Sequence, residues 1–172
     1  MTLDELFKNR QSCRSYDPEK LVSSKDLEKI VEAGSLSPSA RNLQPWFFTV
    51  VNNHDTVLKI REARQTPGFN DFTSDVNAFI VIQENKDLSR EYARDFTQID
   101  LGLTTAHMIL KATDLGLSTC ILGSFDEAVV RNACNITSNQ PIRLVLAIGY
   151  AKADDVIRDK KRKELNDIAK FL

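Results

Sequence analysis

Apolar positions along the 172-residue chain recur at two periods, and the switches between them divide it into alternating helices and strands. Thr2 followed by Glu5 has capping-box spacing and predicts a short first helix over residues 3–9 that delivers Arg10 to its end. Ser23 caps a second helix, with Val22 and Leu27 as its hydrophobic staple, and Leu27, Ile30, Val31 and Gly34 follow at helical spacing. The run Trp46-Phe47-Phe48-Thr49-Val50-Val51 is β-branched and aromatic, and reads as a buried strand. After a polar break at Asn52-Asn53, residues 55–64 read as a helix ended by Gln65-Thr66-Pro67-Gly68, and Ala78-Phe79-Ile80-Val81-Ile82 as a second strand.

The longest pattern covers residues 98–115. Ile99, Leu103, Ala106 and Leu110 mark one face, Leu101, Met108 and Ile109 widen it, and Gly116 stops it. A helix apolar over so much of its surface is central to the fold or lies at a subunit interface. Thr119-Cys120-Ile121-Leu122 is short and reads either way, residues 126–133 form a helix, and residues 143–150 a strand. The tail is charged up to Lys163, then weakly amphipathic through Leu165, Ile168, Phe171 and Leu172. Helices separating a few strands, with no strict βαβ repeat, predict an α+β fold with a small mixed sheet packed between helices.

The length suits one domain spanning residues 1–172, able to bury a core without metal or disulfide staples. A net charge of −1 offers no basic field for nucleic acid and no polybasic membrane anchor. No run of about twenty apolar residues is present, and the N-terminus is acidic where a secretory signal would be basic, so a cytoplasmic protein is expected. Cys13, Cys120 and Cys134 are odd in number and widely spaced, which predicts reduced thiols and neither a disulfide framework nor a metal site. Of the two histidines, His54 and His107, the latter lies among apolar helix neighbours and reads as a packed or interface residue.

Two segments carry candidate chemistry. Arg10-Gln11-Ser12-Cys13-Arg14 sets two guanidinium forks around a hydroxyl, a set suited to phosphate, although arginines four apart also occur on any solvated helix face. Ser37-Pro38-Ser39-Ala40-Arg41-Asn42-Leu43-Gln44-Pro45-Trp46 reads on its own as a loop, with Asn42 and Gln44 as turn formers and Trp46 as core. Together, in this order and spacing, they resemble the signature of the flavin-dependent nitroreductase family, an Arg-x-Ser-x-Arg element followed by a Ser-Pro-Ser-x-x-Asn-x-Gln-Pro-Trp loop. The resemblance covers nearly the whole chain, strongest over residues 10–51 and 97–126 and weakest over 52–77.

The resemblance implies an FMN site. Arg10, Ser12 and Arg14 would contact the cofactor, and the loop residues Pro38, Ser39 and Asn42 would approach its ring from the neighbouring subunit of a homodimer built on the long helix. Leu117-Ser118-Thr119-Cys120-Ile121-Leu122-Gly123-Ser124-Phe125-Asp126 is similar to the family's second motif, which implies a Gly123 backbone N–H near flavin N5 with Ser124 beside it. Apart from the family, Gly123-Ser124 is a turn before a helix start. Lys160-Lys161-Arg162-Lys163 follows Ile148-Gly149-Tyr150 as a basic pair follows a Gly-Tyr strand in family members, which implies Lys160 and Arg162, or Lys161 in place of Lys160, as phosphate anchors. Asn70 fits the position of an Asn against the pyrimidine ring, but Thr73 stands where a basic residue is usual, which leaves Arg14 to supply that charge.

With no catalytic side chain required, the implied activity is hydride transfer from NADH or NADPH through the flavin to a small electron-poor acceptor, nitroaromatic or quinone, in a ping-pong cycle. Two other readings are a flavin-dependent dehydrogenase or reductase of one metabolite and a non-catalytic flavin-binding dimer. Cys13, between two arginines, carries the expectation of a stabilised thiolate.

Overall fold

A computed structural model describes residues 1–64, 68–86 and 95–172. Ten regular elements follow one another: α1 (Leu3–Asn9), α2 (Ser24–Ser35), β1 (Trp46–Val51), α3 (His54–Arg61), β2 (Ala78–Glu84), α4 (Thr97–Asp114), β3 (Ser118–Leu122), α5 (Glu127–Cys134), β4 (Ile142–Gly149) and α6 (Leu165–Ile168). Single 3-10 turns occur at Ala40–Asn42 and Asp71–Asp75. The Gln65-Thr66-Pro67 part of the expected helix stop lies outside the described residues.

Local chemistry sets the ends of the helices. At α1 the Thr2 hydroxyl accepts from the Glu5 N–H at 3.2 Å while the Glu5 carboxylate accepts from the Thr2 N–H at 2.7 Å. These two bonds satisfy donors that a helix start leaves free. Ser23 caps α2 through Asp26, and Asp126 caps α5 by accepting from the N–H groups of Ala128 and Val129. Gly116, at φ +76°, ends α4 in the left-handed region that a residue with a side chain enters at a cost.

The strands form one sheet in the order β1-β2-β4-β3. Every strand pair in it is antiparallel. This corrects the expected mixed sheet. Among the described residues the one parallel pairing is an isolated bridge between Ser12 and Thr119 at the β3 edge. The continuous apolar runs of β2 and β4 look like those of parallel strands because helices cover both faces of these two central strands. Phe79, Val81, Val145 and Ala147 pack with α3 and α5 through Val57, Ile60, Val130 and Ala133. The alternate positions Ala78, Ile80, Ile82, Leu146 and Ile148 pack with α2 and α4 through Leu27, Ile30, Leu101, Met108 and Ala112. Each fully buried Ile, Leu, Val or Phe in these layers contributes about 1.5–3 kcal/mol relative to exposure.

The core side of α4 carries Leu101, Thr104, Thr105, Met108 and Ala112. The stripe that begins with Ile99 and Leu103 faces away from it, and these two side chains are 53% and 41% exposed. The chain after β4 turns back along the N-terminal segment, where Ala151 pairs with Tyr16 and the Lys152 N–H donates to the Ser15 carbonyl. No helix among the described residues is long and apolar enough to cross a membrane.

Candidate functional site

The β3 edge of the sheet gathers the first cluster. Ser12 bridges Thr119, and the Cys13 N–H donates to the Thr119 carbonyl at 2.9 Å, so residues 12–14 run as a short added strand beside β3. The returning tail clamps this strand from the other side. The Gln11 amide donates to the Val156 carbonyl at 3.2 Å and to the Asp155 carboxylate at 3.3 Å, while the Arg158 N–H donates to the Gln11 side-chain oxygen at 3.0 Å. The Arg158 guanidinium donates to the Ser12 carbonyl and to Asp155, and the Lys160 ammonium to the Lys8 carbonyl near the end of α1.

Arg10, Ser12, Arg14, Arg158 and Lys160 therefore share one region built from chain ends about 150 residues apart. Burial raises the Cys120 thiol pKa, and the opposing influence comes from Arg14 and then Arg158, which puts both guanidiniums within electrostatic reach of β3. Several fixed cations around a hydroxyl and a strand edge suit an anion such as a phosphate dianion. Arg158 was not among the residues the sequence singled out. Its signal, an arginine ahead of the basic run and eight residues after Tyr150, was masked by the denser Lys160–Lys163 cluster. The Arg162 guanidinium donates to the adjacent Lys161 carbonyl at 2.8 Å.

At the far end of β3, Gly123 is exposed, and a Cβ added there would meet nothing within 4 Å, so the space beside this backbone is open. The Asn70 amide donates to the Ser124 carbonyl at 3.1 Å, which joins Asn70 to Gly123 and Ser124. Asn70 itself is left-handed at φ 61°. Thr73 is buried, its hydroxyl donates to the Asn70 carbonyl at 2.9 Å, and it lines a small cavity together with Asn70 and Ser124.

Pro38, Ser39 and Asn42 lie elsewhere. Their loop leads into β1, the opposite edge of the sheet from β3. Three inter-strand spacings of about 4.8 Å separate those edges, roughly 14 Å. Within the loop Arg41, Asn42 and Gln44 are all left-handed, at φ 54°, 55° and 47°. The Ser39 hydroxyl accepts from the Gln44 N–H at 2.9 Å, and the Gln44 amide donates to the Asn42 side-chain oxygen at 3.2 Å, so the turn-forming reading of Asn42 and Gln44 holds. Trp46 is buried in the α2/α4 core layer, as a packing residue.

Two further sequence expectations meet the structure here. His107 is half-buried with Nδ1 3.2 Å from the Ala33 carbonyl, a packing position. The Cys13 thiolate is not stabilised. Burial, opposed by a backbone hydrogen bond from Ser15 and reinforced by Asp155, pushes this thiol up to about 11. The arginines flanking it in sequence are set against its position beneath the strand, where the cost of desolvating a thiolate dominates.

Comparison with known proteins fits this geometry. The model of the nitroreductase family matches residues 7–150. A protein of Archaeoglobus fulgidus named as a candidate NADH dehydrogenase/NAD(P)H nitroreductase is 31% identical over 152 residues, covering 86% of this chain and 84% of that protein. The crystal structure of a nitroreductase family protein from Clostridium difficile 630 superposes with a TM-score of 0.81 at 27% identity, covering 99% of this chain and 98% of its own. An FMN-dependent nitroreductase from Clostridium difficile R20291 has the same fold, with a TM-score of 0.73 at 24% identity over 96% of this chain and 94% of its own.

Proposed function

The chain belongs to the nitroreductase family, and from that premise we propose that it is an FMN-dependent NAD(P)H oxidoreductase that works as a homodimer with the cofactor at the subunit interface. One observation carries the dimeric part of this reading. The cationic cradle and Gly123 sit at the β3 edge while the Ser39–Asn42 loop sits at the β1 edge. Two half-sites on opposite edges of one sheet are completed when a second copy brings its loop to the first copy's cradle. The exposed Ile99 and Leu103 stripe of α4, and the exposed Leu165, Ile168, Phe171 and Leu172 of the tail, are apolar surfaces such a partner would cover.

The residues present fit FMN. Arg10, Arg158 and Lys160 would hold the phosphate, and Ser12 would supply a hydroxyl for the ribityl chain or the pyrimidine edge. Gly123 leaves its backbone N–H unshielded by a side chain, and Asn70 keeps one amide oxygen as an acceptor. Bound FMN would supply the redox chemistry, taking a hydride from NADH or NADPH and passing it to a small electron-poor acceptor of nitroaromatic or quinone type in alternating half-reactions. The protein's own part is to bind, orient and neutralise charge. Arg14 would supply the counter-ion for negative charge on the reduced ring, and solvent would supply the protons, so no acid–base side chain is demanded.

The test is a visible absorption spectrum of the purified protein with added FMN, followed by anaerobic titration with NADH or NADPH and sedimentation of the apo and loaded forms. A bound-flavin spectrum that bleaches with a donor, on a dimer, supports the proposal. Bound flavin that neither donor reduces would leave a binding protein, and tight stoichiometric binding by a monomer would refute the shared site.

A further inference from the structure

The loop that carries Ser39 and Asn42 holds a conformation that its own residues do not favour. Arg41, Asn42 and Gln44 all have positive φ, a region that residues with side chains occupy at a cost and keep only where the surroundings impose it. Bonds inside the loop, from the Gln44 N–H to Ser39 and from the Gln44 amide to Asn42, shape it but do not fix it to the body of the protein. Among the described residues, hydrogen bonds on two sides do. The Asn85 N–H donates to the Pro45 carbonyl beside β1. On the side facing α4, the Ala40 N–H donates to the Asp100 carboxylate, with both oxygens at 3.2 Å.

Asp100 suits this task. It is 4% exposed in the first turns of α4, where the helix N-terminus favours a negative charge. It also heads a polar stripe on α4. Four residues on, the Thr104 hydroxyl donates to the Gly34 carbonyl at 2.7 Å, and His107 Nδ1 lies 3.2 Å from the Ala33 carbonyl. Positions 100, 104 and 107 share one helix face, so α4 grips the backbone of the α2 end and of the loop along a single line.

We infer that Asp100 is a positioning residue, fixing the Ser39–Asn42 loop in the form that meets the cofactor; this rests on the flavin reading proposed above. Asp100 has no contact with the cofactor in this role. It acts through the Ala40 N–H, and its loss frees the loop without removing any residue of the cradle.

The experiment pairs two variants with two readouts. Asp100→Ala removes the acceptor. Ala40→Pro removes the donor from the loop side, at the first position of a turn, where proline is tolerated and the preceding Ser39 is already extended. Trypsin cleavage after the exposed Arg41 reports whether the loop is held, with no cofactor needed, and FMN affinity reports whether holding it matters. Both variants should speed cleavage at Arg41 and weaken FMN binding by about tenfold or more, at a circular dichroism spectrum like the parent's, and Asp100→Asn, which keeps one carbonyl acceptor, should recover most of both. Parent-like cleavage in both variants overturns the inference, as does faster cleavage with unchanged FMN affinity. Should Asp100→Ala fail to fold, Ala40→Pro decides alone. If the parent protein binds no FMN, the flavin reading falls and takes this inference with it, whereas parent binding with unaffected variants sinks the inference only.

Discussion

Gly149→Ala tests how closely the fold is built around the cradle. Gly149 is the last residue of β4 and pairs with Ser118. A Cβ there would lie 2.8 Å from Tyr16 Cδ1, 3.4 Å from Cε1 and 3.7 Å from Cγ. The first of these is about 0.7–1.2 Å inside an ordinary carbon–carbon contact. Tyr16 cannot swing away cheaply. It is fully buried, its ring stacks on Phe72 at 6.3 Å, and its hydroxyl reaches the Ala147 carbonyl at 3.5 Å. Overpacking of this kind costs about 1–3 kcal/mol, and replacing a strand glycine by alanine returns about 0.5–1 kcal/mol of backbone entropy. Destabilisation of about 1–2 kcal/mol should win, lowering Tm by roughly 2–8 °C for a chain of this size. Tyr16 follows directly on the strand of Ser12 and Arg14, so FMN affinity should fall as well. Thermal melts at one fixed protein concentration are the assay, since dimerisation makes Tm concentration-dependent. Adding Tyr16→Leu to Gly149→Ala should cost less than the sum of the single changes. A Gly149→Ala protein with parental Tm would refute the packing argument.

Arg14→Ala should weaken FMN binding by about tenfold or more, the loss of a charge-assisted bond worth about 1.5–3 kcal/mol, and leave the apo Tm nearly unchanged because the side chain is exposed; flavin fluorescence titration measures the first and a melt the second. Asp95 is held well below the usual carboxylate range, first by the Thr97 hydroxyl, then by the Lys86 ammonium and the Thr97 N–H. Its folded pKa is the lower one, so its contribution is present above about pH 4 and lost as pH falls below that. Asp95→Asn should therefore flatten the acid limb of stability against pH in urea titrations, and an unchanged limb would contradict the assignment. For Cys13 the sign is reversed. The unfolded thiol ionises near pH 8.5–9 and the folded one at about 11, so the unfolded state sheds its proton first and stability falls as pH rises through that window. Cys13→Ala should remove that part of the alkaline loss, and native Cys13 should resist iodoacetamide at pH 8 until the protein unfolds.

The elements that patterning located well are those whose signal is local. The capping box at Thr2, the cap at Ser23 and the glycine stop at 116 need only a few neighbours, and the structure has α1, α2 and α4 within a residue or so of the expected bounds. What is non-local escaped. Nothing in the apolar runs of β2 and β4 distinguishes a parallel strand from an antiparallel one covered on both faces. The long-helix stripe at Ile99 and Leu103 was legible as apolar, but not as the side turned from this chain's own core. The Cys13 thiol shows the same limit in electrostatics, since sequence neighbours suggested a cationic setting where three-dimensional burial rules. Arg158 and Asp100 were missed because their value lies in a carbonyl of Ser12 and an N–H of Ala40, partners about 146 and 60 residues away.

The two halves of the site also have different physical bases. The cradle depends on the two chain ends holding each other. Residues 11–15 and 151–158 exchange backbone and side-chain bonds at the β3 edge, and Asp155, with a side chain 9% exposed, sits among Gln11, Cys13 and Arg158. Under the proposed reading, an anion bound beside this closure would stabilise the folded form by mass action, so ligand and chain ends would stabilise one another. The loop has no such ligand in its own chain. Its Ala40 N–H donates to an α4 carboxylate, next to the left-handed Arg41, and its Asn42 and Pro38 side chains are exposed. Under the proposed dimer, a loop whose Pro38 and Asn42 side chains face solvent in its own chain would serve the neighbouring copy's site, so a single copy would account for the loop's conformation without accounting for its use.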